Sequence, residues 1–211
     1  MSSRKVIALL VSCLFLGLAT AAWAGIPDPD NSSFTSAATD DVSILVCPLG
    51  DGDSFSGAQA FGLGPGTANA LITVTLLDIN FVPVVNYPRE DVWLEANGLC
   101  YCPDGNIADA NTDANGMTQF DLPLRAGGCS DDGSTVIWVN GDAINNPPLD
   151  HLLYNSPDMN CDLVVNLTDI VFFSQVYYGA YDYCADFYWD GSINLSDIVF
   201  LAQHNSHACP E

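Results

Sequence analysis

Two patterns of apolar positions divide the chain. Up to Val139, short β-rich runs alternate with turn residues: Val42-Ser-Ile-Leu-Val46, Leu71-Ile-Thr-Val-Thr-Leu-Leu77, Val92-Trp-Leu94 and Thr135-Val-Ile-Trp-Val139. Runs of this length and spacing predict an all-β sandwich. Asn115-Gly116, between residues 108–114 and 117–122, predicts a hairpin whose type I′ turn needs positive φ at both central residues. Past Pro157 the period changes. Leu167, Ile170 and Val171, and again Leu195, Ile198 and Val199, fall at the i, i+3, i+4 spacing of an amphipathic helix. The two helical segments are copies: residues 166–175 and 194–203 agree at seven of ten positions, offset by 28 residues. Between the two patterns, Asn145-Asn146-Pro147-Pro148 and Asn155-Ser156-Pro157 punctuate the chain and mark residues 142–155 as a linker.

The N-terminus reads as a secretory signal. Arg4 and Lys5 precede an uncharged apolar run from Val6 to Ala24 that ends in small residues, so residues 1–24 are expected to be removed. A retained membrane anchor, a lipoprotein box around Cys13 and a buried core helix fit the run less well, so no membrane insertion is expected after cleavage. Residues 25–34, within an aperiodic stretch from Gly25 to Ala38, read as an extended leader. The whole chain of 211 residues carries a net charge of −22; without Arg4 and Lys5 only Arg89 and Arg125 face 26 acids, a charge of −24. Nucleic acid and anionic membranes, which are bound through Lys and Arg, are excluded as partners. Divalent cations are not.

What precedes each helix carries the chemistry. The first copy places Asp158, Asn160, Asp162, Asn166 and Asp169 at loop positions 1, 3, 5, 9 and 12, with the Val164 carbonyl at position 7. The second places Asp186, Asp190, Asn194 and Asp197 at positions 1, 5, 9 and 12, with Ser192 at position 7. Oxygen donors at this spacing, leading into a helix, are the ligand pattern of an EF-hand calcium loop. A hard cation takes six to eight oxygens, and a tight turn points alternate side chains inward. Two Ca2+ sites are therefore expected. Position 6 is Gly191 in the second loop but Leu163 in the first, where the sharp turn prefers Gly, so Leu163 must absorb the left-handed strain or the turn must open. Position 3 of the second loop is Tyr188, too long to ligate directly, so a water is expected there. Val165 and Ile193, at position 8, are expected to pack the loops together.

Residues 156–204 resemble a dockerin domain, and residues 35–141 more loosely resemble bacterial Ig-like domains of the intimin/invasin kind, through Ile72–Pro83 and Thr112–Phe120. Together these imply an all-β Ig-like sandwich followed by a small all-α dockerin-like calcium-binding domain over residues 156–211. The dockerin resemblance implies a protein partner of cohesin type in extracellular, often polysaccharide-degrading, bacterial assemblies. It also implies partner contacts at Leu167, Thr168, Leu195 and Ser196, where that family commonly has polar pairs.

Seven cysteines follow the signal, and in an exported chain they imply disulfides. The candidates are Cys47, Cys100, Cys102, Cys129, Cys161 and Cys209. Cys100 and Cys102 are too close to pair with each other and are each expected to join Cys47 or Cys129. Cys161 is expected to join Cys209, leaving Cys184 over. His204, His207 and Cys209 suggest either a soft-metal cluster or ordinary residues at a helix end. The aromatics from Tyr177 to Trp189 suggest packing between helices, or else a sugar-stacking or partner-binding surface. The common nucleophile, zinc-protease and phosphate-loop motifs are absent, and 23 of the 26 acids are Asp, a turn former rather than a marker of a catalytic cleft. The sequence thus predicts a secreted, non-catalytic component that binds calcium and assembles with a protein partner, with carbohydrate as a further ligand class. The alternative is a structural or adhesive surface protein in which calcium only stabilises the C-terminal end.

Overall fold

The computed structural model describes residues 25–211. Residues 1–24, expected to be a secretory signal, lie outside the described residues. Among the described residues, twelve short strands form four small sheets. β1 (Ser33–Ser36), β5 (Ile72–Thr75) and β8 (Met117–Phe120) make the first, with β5 central and both pairings antiparallel. β6 (Val92–Glu95), β10 (Val136–Val139) and β11 (Asp142–Ala143) make the second. The third runs β12-β2-β3-β4, from β2 (Val42–Leu45), β3 (Ala58–Ala60), β4 (Gly64–Ala68) and β12 (Leu152–Asn155). β7 (Leu99–Tyr101) pairs with β9 (Ala126–Gly128). The strands follow the β-branched runs, and their alternate residues (Phe34, Ile72, Val74, Val92, Leu94, Phe120, Ile137, Val139) meet in one apolar core.

The predicted turn at Asn115-Gly116 forms, but only Gly116 has positive φ. The Asp113 carboxylate accepts N–H bonds from Asn115 and Met117, and these bonds hold it below the usual carboxylate range. That local bond favours an Asp-initiated turn over type I′. Beyond the turn, β8 pairs with β5 as its ladder partner, and residues 108–114 reach it through isolated bonds, Asp113 N–H to Met117 O and Asp109 N–H to Gln119 O.

The expected division into a β-module and a separate all-α module is overturned. The described residues are mostly sheet with two short α-helices, α1 (Leu167–Tyr177) and α2 (Leu195–Gln203), and among them there is no distinct C-terminal all-α domain. The reason lies in β2, which is buried on both faces. Val42, Ile44 and Val46 enter the main core. Leu45 and Cys47 point the other way, into a second cluster with Val165, Phe173, Ala185, Phe187 and Leu201. Ser43, on that same face, shares a 2.7 Å hydroxyl bond with Tyr183. A helix pair of this size buries too little apolar surface to stand alone, and here the sheet completes its core.

Residues expected as linker and leader also carry structure. Leu152–Asn155 runs parallel to β2, Asp142–Ala143 pairs with β10, and Phe34 sits in the core. Three disulfides bind the two regions: Cys100–Cys161, Cys102–Cys209 and Cys129–Cys184. Each joins the β-region to the C-terminal region, whereas the sequence suggested pairing within regions. Cys184 is bonded, and among the described residues Cys47 is the free thiol. Three bridges imply folding in an oxidising compartment. Among the described residues, no helix is long and apolar enough to cross a membrane.

Candidate metal centre

The first loop closes over its own carboxylates. Asp158 accepts N–H bonds from Asp162 (3.2 Å) and Leu163 (2.9 Å). Asp169 accepts from Asn160 (3.2 Å) and Asn166 (2.8 Å). Leu163 takes φ of 66°, the left-handed turn that position 6 requires even without glycine. Asp158 and Asp169 are fully buried, and with Asp162 they bring three carboxylate oxygens within 4.8 Å of one another. Burial, reinforced by the neighbouring Asp169 and Asp162 charges, pushes Asp158 up to about 6. An all-oxygen, multiply anionic cluster is the donor set of a hard divalent cation. The residues present fit Ca2+.

The second loop repeats the scaffold. Asp186 accepts from Asp190 (3.1 Å) and Gly191 (2.8 Å), and Asp197 from Tyr188 (3.1 Å) and Asn194 (2.8 Å). Gly191 has φ of 85°. Asp186 and Asp197 are buried, and burial raises Asp197 above the usual carboxylate range against the pull of the Asn194 and Tyr188 N–H groups. One group is foreign to the pattern. The Tyr181 hydroxyl donates to Asp186 Oδ2 at 2.9 Å. Among the described residues, the first loop draws three carboxylates within 4.8 Å and the second does not.

Positions 3, 7 and 9 are placed as follows. Asn160 bridges to Asp162, through Nδ2 to Oδ2 at 2.9 Å. Val164 offers its carbonyl to Asn166 Nδ2, and Ser192 offers its own to Asn194 Nδ2. Asn166 and Asn194 cap α1 and α2: each Oδ1 accepts a backbone N–H, from Thr168 and Ser196, and Asp169 and Asp197 complete capping boxes. Tyr188 stacks at a tilt on Phe200 and lies over Gly64. At position 8 Val165 and Ile193 pack in the same apolar cluster, and Val165 also bonds to the chain end: its N–H donates to His207 O, and Ser206 N–H donates to Val165 O. The chain end therefore reaches loop one as expected, but Cys209 bonds Cys102, not Cys161.

Leu167 and Leu195 are 71% and 68% exposed, with Thr168 and Ser196 also at the surface. Beside them Ile170, Phe173, Tyr177, Tyr178, Ile198 and Leu201 line an apolar groove of about 270 Å³ between the helices. The aromatic segment mostly packs: Phe187 stacks on Phe173 and Trp189 is buried, while Tyr178 and Tyr181 stay exposed. Two contributors escaped the sequence. Tyr181 carries no motif signal. Gly127 lies against Asp158 so closely that a Cβ there would overlap the carboxylate.

No protein-family profile and no curated protein matches the chain. Among solved structures, the chain is similar to the filamin domain of Lin-41 at 16% identity and a TM-score of 0.29, covering 59% of this chain and 92% of that one. It is also similar to a chain from a type II cohesin–X-dockerin complex of Acetivibrio cellulolyticus, a mutant of the N-terminal interface. There the identity is 19% and the TM-score 0.25, covering 63% of this chain and 89% of that one. Both likenesses are distant.

Proposed function

We propose that the chain is a secreted, non-catalytic calcium-binding protein. In this reading a dockerin-like repeat, built onto the β-region, presents a helical surface to a protein partner of cohesin type. The convergence of Asp158, Asp162 and Asp169 carries the proposal. Without a cation these carboxylates, two of them buried, repel one another, and a calcium ion held by them and the Val164 carbonyl would offset that repulsion. Asp186, Asp190, Asp197 and the Ser192 carbonyl would form the second site, less tightly because Tyr181 already occupies an Asp186 oxygen. Asn166 and Asn194 act by capping the helices and bracing the position-7 carbonyls.

The ions fix the start of both helices, and the helices carry the duplicated exposed pairs Leu167-Thr168 and Leu195-Ser196. Apolar residues exposed in matching places on two copies support a partner surface. A non-catalytic role is supported by how the Asp residues are used: Asp28, Asp78 and Asp113 accept N–H groups two or four residues on, as turn builders. A pull-down of the full chain with cohesin domains, with calcium and with a chelator, tests the assembly role. Capture that needs calcium and is lost in a Leu167→Arg, Leu195→Arg double variant supports it; capture indifferent to both contradicts it. The second reading, a structural protein in which calcium only secures the chain end, is favoured by the three disulfides that staple that end to the sheet. It predicts calcium-dependent stability with no capture.

A further inference from the structure

A second cluster of metal-ligand chemistry lies apart from the two loops. Cys47 follows β2 and is fully buried; Asp51 is on the next loop; His204 caps the end of α2; His207 lies in the tail. One ligand atom from each lies within 4.8 Å of all the others. Cys47 Sγ is 3.6 Å from His207 Nδ1, which is 3.1 Å from Asp51 Oδ2. A tetrahedral ion with bonds of about 2.3 Å to sulfur and about 2.0 Å to nitrogen and oxygen separates S from N by about 3.5 Å and N from O by about 3.3 Å. The observed edges match that spacing.

We propose that Cys47, Asp51, His204 and His207 form a tetrahedral site for a soft divalent transition metal of the zinc type. The His204 ring is pre-oriented: its Nδ1 bonds the Phe200 carbonyl at 2.7 Å, and it stacks on the Phe200 ring. That bond leaves Nε2 with the free lone pair, the arrangement by which a backbone carbonyl fixes a metal-binding imidazole. One thiolate and one carboxylate balance a dication, so the occupied site is neutral in a chain that is otherwise strongly acidic. Thiolate and imidazole donors select zinc or cobalt over calcium. Burial pushes the Cys47 thiol up, so it stays protonated until a cation displaces the proton. The site joins the end of β2 to the tail, beside the Cys102–Cys209 bridge, and accounts for a free thiol where the other six described cysteines are bonded.

The test adds Co2+ to the full, disulfide-bonded chain, freed of metal without thiol reductants and held in excess calcium. One equivalent should bind, with the thiolate-to-cobalt charge-transfer band and intense visible bands of tetrahedral cobalt, and zinc should abolish both. Cys47→Ser should remove the charge-transfer band. His207→Gln, which leaves the buried thiol in place and so decides the matter if the first variant does not fold, should weaken cobalt binding at least tenfold. A pale spectrum without a thiolate band in the parent chain, or bands that survive His207→Gln undiminished, overturns the proposal and leaves an ordinary His207–Asp51 ion pair beside a buried thiol. Neither result bears on calcium in the Asp loops.

Discussion

Replacing Cys100 and Cys161 by alanine opens a bridge that closes 61 residues and has one of its sulfurs inside the first Asp-rich loop. Loop-closure entropy for that span corresponds to about 4.3 kcal/mol at 25 °C, against about 4.2 kcal/mol for the 55-residue span of Cys129–Cys184. The two double variants should therefore lose nearly equal stability in the chelated state. For a chain of this size the loss appears as a fall of about 9–17 °C in Tm. They should part company when calcium is added. Cys161 sits at loop position 4 with φ of 64°, and its bridge pins that turn against β7. Opening it weakens calcium at loop one, so this variant recovers less stability from the ion than its counterpart does. Paired denaturant titrations, each with calcium and with chelator, read both quantities. A loss under about 1 kcal/mol in the chelated state, or an identical calcium gain in the two variants, would refute the coupling of staple and loop.

Other consequences are as direct. Gly127→Ala should drive a methyl group into Asp158 and lower calcium affinity at loop one, measured by calorimetry, while loop two keeps its own. Phe187→Ala should cost about 3–5 kcal/mol by denaturant unfolding, because its ring is fully buried where the helices meet the sheet. Asp158, raised by burial to about 6 in the ion-free chain, gives a pH dependence of definite sign. Its folded-state value lies above the ordinary one, so its stabilising contribution is full below about pH 4 and lost as pH rises through 6. The chelated chain should melt higher at pH 5 than at pH 7. Calcium requires the ionised form, so affinity at loop one should fall about tenfold as pH is lowered from 7 to 5, with proton release on binding. Parallel melts with and without calcium check both signs.

Much of this was legible because it is local. β-branched runs at Val42, Ile72, Val92 and Val136 became strands, and the i, i+3, i+4 spacing at Leu167 and Leu195 became helices. Of the two outcomes the loop template left open at Leu163, the left-handed one is taken. What escaped was relation between distant parts. Asn-Pro-Pro and Asn-Ser-Pro look like linker punctuation because they bracket β12, and its parallel pairing with β2 leaves no local mark. The run from Val42 to Cys47 is apolar on both faces, the signature of a strand covered on two sides, and there lay the one hint that the helices share its core. Disulfide partners depend on where the strands lie: Cys100 sits within β7 and Cys102 just past its end, and they reach two different parts of the C-terminal region.

Calcium uptake by the duplicated loops bears most of the weight, and calorimetric titration of the full disulfide-bonded chain with CaCl2 measures it. Two ions should bind per chain, one lost in Asp169→Asn and the other in Asp197→Asn, substitutions that keep an acceptor for the helix cap while removing the charge. Absence of saturable heat, or uptake unchanged in both variants, would contradict it.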